Sequence, residues 1–231
     1  MPNISFRRTA CGSRRSQAVR TEHIPMPPNK PLALLFDLGG VVVNIDFDRA
    51  FVAWQPKSRL SLAGIKQAFK FDLQYQRHER GEIAASEYFD HLASVLQIES
   101  DHSYIAKGWN SIFVGEIFET TAMLQAVRTK IPCHAFTNTN AAHAATWTSM
   151  FPAVVESFDR IFASHEIGRR KPERAAFDHI SKALGVASES IVFFDDLLEN
   201  IHGAKAAGLQ TVHVRSPRDV RDALESLTHA L

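Results

Sequence analysis

The chain has 231 residues, 45% of them hydrophobic and 22% charged, the balance of a folded protein with room for one domain or one domain plus an insertion. This composition excludes a disordered or fibrous chain. No stretch approaches 18 consecutive apolar residues, which excludes a membrane-spanning helix. The formal net charge of +1 conceals a split: residues 1–30 hold six Lys and Arg against one acid, Glu22, and the remaining 201 residues hold 20 against 24.

Residues 1–31 read as a basic leader, rich in Arg and Pro, with too little apolar surface to fold. The leader lacks the continuous apolar core of a secretion signal, and Met26 is an alternative start. The body that follows is mildly acidic, which argues against a nucleic-acid binder. Cys11 and Cys133 do not suggest a disulfide and fit a reducing, cytoplasmic setting.

Residues 32–36 form an apolar run that ends at Asp37 and is followed by Gly39 and Gly40, the pattern of a buried central strand delivering an acid to a loop. Residues 48–116 show helical periodicity at 60–71, 84–96 and 101–113 without a convincing strand, and read as a small inserted helical cap. The strand and helix rhythm then resumes. Strands are expected at 133–137, 160–163, 190–194 and 210–214, and helices at 119–129, 141–150, 172–184, 197–207 and 219–227. Strands alternating with helices imply an α/β fold, a Rossmann-like parallel sheet core formed by 32–47 and 117–231.

In such a sheet the ligand sits beyond the carboxyl ends of the strands. Asp37, Asp195 and Asp196 fall there. Carboxylates packed together repel one another, and a hard divalent cation such as Mg²⁺ offsets that cost while binding phosphate oxygens.

Four motifs run in order: FDLGGVVVNID from Phe36, TNTN at 137–140, GRRKPE at 168–173 and FFDDLLEN at 193–200. With them the chain resembles the haloacid dehalogenase-like hydrolases over nearly everything from residue 32 onward. DLGG, HERGEI at 78–83 and RRKPE bring it closer to a bacterial phosphatase branch that resembles the α-D-glucose-1-phosphate phosphatases. The resemblance implies that Asp37 is a nucleophile forming an aspartyl-phosphate. It implies that Asp37, Asp196 and the Gly39 carbonyl hold Mg²⁺, with Asp195 and Asn200 behind them. Thr137 and the Asn138 amide would grip the phosphoryl oxygens, and Lys171 would neutralise the transferring group. Arg169 and Arg170 would face solvent or the cap.

One position departs from the family pattern. Where most phosphatases of the family carry a second Asp as general acid and base, this chain has Gly39, which has no side chain for that work. Three readings stay open: a phosphatase of esters with an easy leaving group, such as an anomeric sugar phosphate; a metal-independent 2-haloacid dehalogenase; or a non-catalytic binding protein. The intact pair Asp195–Asp196 favours the first.

The expected substrate is a small phosphate ester, with no nucleic-acid or membrane partner and a monomer or homodimer as the assembly. Cap candidates for substrate contact are His78, Glu79, Arg80 and Glu82, with Trp109 and Phe113 behind them as core or as wall. His143 and Trp147, four residues apart, share a helix face and join the candidates.

Overall fold

A computed structural model describes residues 30–229 of the chain. Nearly all of the basic leader, including Cys11, lies outside these residues. The central sheet has five parallel strands: β1 (Ala33–Phe36), β4 (Cys133–Thr137), β5 (Arg160–Ala163), β6 (Ile191–Asp195) and β7 (Gln210–His213), in the order β5-β4-β1-β6-β7. β1 lies at the centre, flanked by β4 and β6 in register: Phe36 sits opposite Ala135 on one side and Phe194 on the other. All five strand ends face one way, so Asp37 and Asp195 emerge side by side.

Both sheet faces are covered, as the continuous apolar strand sequences require. Leu34 and Phe36 face a large cluster that contains Leu124 of α6 (Phe118–Val127), Trp147 of α7 (Ala141–Met150) and Val220 of α12 (Pro217–His229). Ala33 and Leu35 point the other way, toward Phe177 of α10 (Arg174–Leu184) and Ile201 of α11 (Leu198–Ala206). Phe36 and Phe194 stack with centroids 4.3 Å apart, fixing the two central strands to each other beneath the site. Two short helices, α8 (Pro152–Glu156) and α9 (Ser164–Ile167), flank β5. Among the described residues no helix is long and apolar enough to cross a membrane.

Between residues 47 and 110 the chain forms α1 (Phe47–Trp54), α2 (Leu62–Ala68), α3 (Leu73–Glu79), α4 (Ala85–Val95) and α5 (His102–Asn110). Their apolar faces converge on Trp54, Tyr88 and Trp109, all essentially buried and continuous with the first sheet cluster. The insertion is thus helical, as expected, but it is entered and left through an antiparallel ribbon of β2 (Val43–Ile45) and β3 (Phe113–Glu116). The expected helix over 101–113 therefore stops at Asn110. Strands of three and four residues offer too few alternations for a period of two to show.

Two helices also escape the periodicity reading, α1 and α3. Each is started by a capping acid: Asp46 accepts from the Asp48 amide at 2.9 Å and Asp72 from the Tyr75 amide at 2.9 Å. The helix expected from Pro172 begins at Arg174.

Candidate active site

Asp37 follows β1 directly, and its amide bonds to the Phe194 carbonyl at 2.8 Å, which ties the loop to β6. Its carboxylate is buried and accepts from the Leu38 amide at 2.7 Å. Lys171 arrives from the other side. Its Nζ lies 2.7 Å from Asp37 Oδ1 and 2.8 Å from Asp195 Oδ2, and the residue is 1% exposed. Burial alone would lower the Lys171 ammonium, but Asp195 and Asp37 more than offset it, so the amine is held protonated. Burial pushes the Asp37 carboxyl up to about 7, against the pull of Lys171 and with Asp195 and Asp196 adding to the rise.

Asp195 ends β6 and is fully buried. Besides Lys171, it accepts from the Leu197 amide at 2.8 Å and from the Asn200 side-chain amide at 3.0 Å. Asp196 is raised chiefly by burial and then by Asp195 beside it. Gly40, at φ +74°, packs against Asp196: a Cβ there would come 2.5 Å from Asp196 Oδ2, so only glycine lets the loop close on that carboxylate. Ligand atoms of Asp37, Asp195 and Asp196 all lie within 4.8 Å of one another.

Thr137 ends β4 and Asn138 follows it into the same cavity. The Asn138 side chain forms a two-way clamp on the Lys171 backbone. Its Nδ2 donates to the Lys171 carbonyl at 3.0 Å and its Oδ1 accepts from the Lys171 amide at 2.8 Å. This positioning contact is additional to the backbone amide singled out from sequence.

The candidates from the helical insertion separate. Glu79 lines the cavity and pairs with Arg170 Nε at 2.8 Å, with the Tyr75 hydroxyl in reach of the same carboxylate. Burial raises the Glu79 carboxyl, with Arg170 opposing it. His78 and Arg80 do not line the cavity. The His78 ring stacks on Tyr88 at 4.5 Å inside the insertion, and burial pushes it down to about 4, with His165 contributing. Arg80 points to Glu173 and forms an ion pair with it. On a helix, consecutive residues face different directions, so His78, Glu79 and Arg80 cannot all reach one pocket.

His143 lines the cavity. Its Nε2 lies 3.0 Å from the Trp109 carbonyl and its Nδ1 3.2 Å from Asn140, and burial pushes it down to about 3, so it is a neutral packing group. Trp109 is core, whereas Phe113 and Trp147 are wall.

Arg170 was expected to face solvent or the cap. It faces the insertion from the third motif, half of a clasp whose other half is Arg80–Glu173. Ser164 completes the fastening: its Oγ accepts from the Thr139 amide at 2.8 Å and lies 2.6 Å from the Glu79 carbonyl. Gly81 (φ +68°) sits so close to the His165 carbonyl that a Cβ would come within 2.5 Å of it.

Arg170→Ala would strand the buried Glu79. We expect a loss of about 3–5 kcal/mol in urea unfolding, and Glu79→Gln in the same background should restore part of it. Arg80→Ala breaks a more exposed pair and should cost at most about 1 kcal/mol.

A family model for haloacid dehalogenase-like hydrolases matches residues 32–208, and the chain belongs to that family. The D-ribitol-5-phosphate phosphatase of Bacteroides thetaiotaomicron is 26% identical over 199 residues, spanning 83% of this chain and 95% of that protein. Phosphatase MT3486 of Mycobacterium tuberculosis is 26% identical over 204 residues, spanning 83% and 91%. Among solved structures, a HAD family enzyme of Bacteroides thetaiotaomicron in complex with magnesium and inorganic phosphate aligns with a TM-score of 0.71 at 26% identity, over 80% of this chain and 94% of that one.

Proposed function

We propose that this chain is a magnesium-dependent phosphomonoesterase that acts on a small phosphorylated metabolite through an aspartyl-phosphate. The observation that carries the reading is the convergence of three carboxylates on one point with a single buried ammonium. The donor set fits a magnesium ion: hard oxygen ligands, and more negative charge than Lys171 can balance. Asp37, Asp196 and the Gly39 carbonyl would hold it, with Asp195 and Asn200 supporting from behind. When bound, the ion neutralises phosphoryl charge and orients the ester.

The protein's own groups do the rest. Asp37 attacks phosphorus, Lys171 holds it in line and stabilises the growing charge, and Thr137 and the Asn138 amide hold the phosphoryl oxygens. The helices over 48–116 act as the cap that keeps water from the cavity. The relatives that are phosphatases support this reading, as does the magnesium and phosphate complex of the similar structure. The ribitol 5-phosphate relative keeps a sugar or polyol ester among the substrates to test, and no lining residue singles out glucose 1-phosphate. A cytoplasmic site of action belongs with this reading.

Chelation by EDTA should abolish phosphate release, and Mg²⁺ should restore it. Full phosphate release after chelation would remove the metal from the mechanism, and halide release from a 2-haloacid with no phosphate release from any ester would favour the dehalogenase alternative.

A further inference from the structure

Resting on the phosphomonoesterase reading, we infer that Arg170 recognises the organic part of the ester. That part is neutral and bears hydroxyls, so an ester with a second anionic group is rejected. Two independent observations lead there: the polar atoms left unengaged along the cavity, and the charge that the cavity already carries.

Arg170 lines the cavity, its side chain 14% exposed. Its Nε donates to Glu79 at 2.8 Å, and among the described residues nothing pairs with Nη1 or Nη2. Two contacts hold this fork in place. Glu79, with Tyr75 in reach, fixes the guanidinium, and the Asn138 clamp on the Lys171 backbone fixes the adjoining residue. Lys171, the next residue, touches Asp37, which sets Arg170 beside the phosphoryl site rather than on it. The Thr139 hydroxyl and the exposed carboxylate of Glu199, in the first turn of α11, belong to the same lining. Neither has a partner among the described residues. Donors on Arg170 and Thr139 with an acceptor on Glu199 match hydroxyls, which both accept and donate. An alkyl chain would take water from these groups without replacing it.

Charge decides what else the organic part can carry. The lining sets Asp37, Glu79, Asp196 and Glu199 against Arg170 and Lys171. Asp195, buried behind them, is a further acid that Lys171 also serves. A divalent cation at the aspartates offsets this excess only in part, and the phosphoryl dianion adds to it again. Arg170 is already matched by Glu79. A second carboxylate or phosphate on the ester would therefore meet Glu199 with no spare cation among the described lining residues. An ammonium on the ester would face the Arg170 fork. A neutral polyol meets neither conflict.

The test measures kcat and KM of the full chain with Mg²⁺ on three esters of equal carbon length: D-ribitol 5-phosphate, 5-phospho-D-ribonate and n-pentyl phosphate. Ribitol 5-phosphate should exceed each of the others in kcat/KM by at least about tenfold. Because Arg170→Ala strands Glu79, the fork is tested with Arg170→Lys, which keeps a cation beside Glu79 but loses the paired donors. It should raise KM for ribitol 5-phosphate about tenfold with kcat changed far less, and shrink the preference over n-pentyl phosphate to match. A merely structural role would lower both esters alike. Glu199→Gln, at an exposed position, should raise kcat/KM for 5-phospho-D-ribonate several-fold relative to ribitol 5-phosphate. Parity between ribitol 5-phosphate and either analogue, or a ratio that its variant leaves unmoved, overturns the inference and leaves the phosphatase reading standing. p-Nitrophenyl phosphate is the control. Release from it alone also overturns the inference, and no release from any of the four esters overturns the phosphatase reading itself.

Discussion

Asp37→Asn should lower phosphate release by at least about 10⁴-fold, the scale on which loss of a covalent nucleophile is felt when the rest of the site survives. The carboxamide has nearly the shape of the carboxylate, so the loop can keep its 2.8 Å bond to β6. What changes is the lone pair: an amide oxygen is a poor nucleophile and forms no stable phosphorylated adduct here. The variant also removes one of three mutually repelling acids, so its unfolding midpoint should stay within a few degrees of the parent or rise. Phosphate release and thermal unfolding, measured on the same preparation, separate the two effects. Activity near that of the parent would remove Asp37 as the attacking group.

The parts legible in the sequence are those written locally. Buried parallel strands are continuous apolar runs, so β1 and β6 show themselves, and the acids that follow them land at the carboxyl end of a sheet by topology alone. The helices of the body show through their period and through Gly185 at a helix exit. The ribbon of β2 and β3 does not, because it is too short to carry a period and pairs residues about 70 positions apart. α1 and α3 had a signal that the apolar period alone misses, an Asp cap at Asp46 and at Asp72.

Contacts made only by tertiary packing were out of reach. Arg170 looks like any solvated arginine in an RRK run until α3 brings Glu79 to it across 91 positions. The same holds for Ser164, whose hydroxyl joins Thr139 to the Glu79 carbonyl, and for the Asn138 side chain on the Lys171 backbone. His78 and Arg80 illustrate the converse: a polar run such as HERGE marks a functional surface, but a helix sends its neighbours to different places.

Lys171→Met should be the most damaging single change to stability, because among the described residues this lysine is the buried ammonium that pairs with the acidic cluster. Its ammonium touches Asp37 and Asp195 and lies 5.4 and 5.5 Å from the ring centres of Phe136 and Phe193, which add cation–π attraction. Methionine nearly fills the volume but leaves the carboxylates buried without a counter-charge, an expected cost of about 3–5 kcal/mol, a large share of a typical total of about 5–15 kcal/mol. Asp195→Asn in the Lys171→Met background removes one of the stranded charges and should recover part of that loss in urea unfolding. Activity should not return with it, since no ammonium remains to stabilise the transferring phosphoryl group. Added Mg²⁺ should also raise the unfolding midpoint of Lys171→Met more than that of the parent, because the cation then supplies charge that the lysine no longer does. A Lys171→Met protein as stable as the parent and indifferent to Mg²⁺ would mean that the three acids do not share the charge balance described.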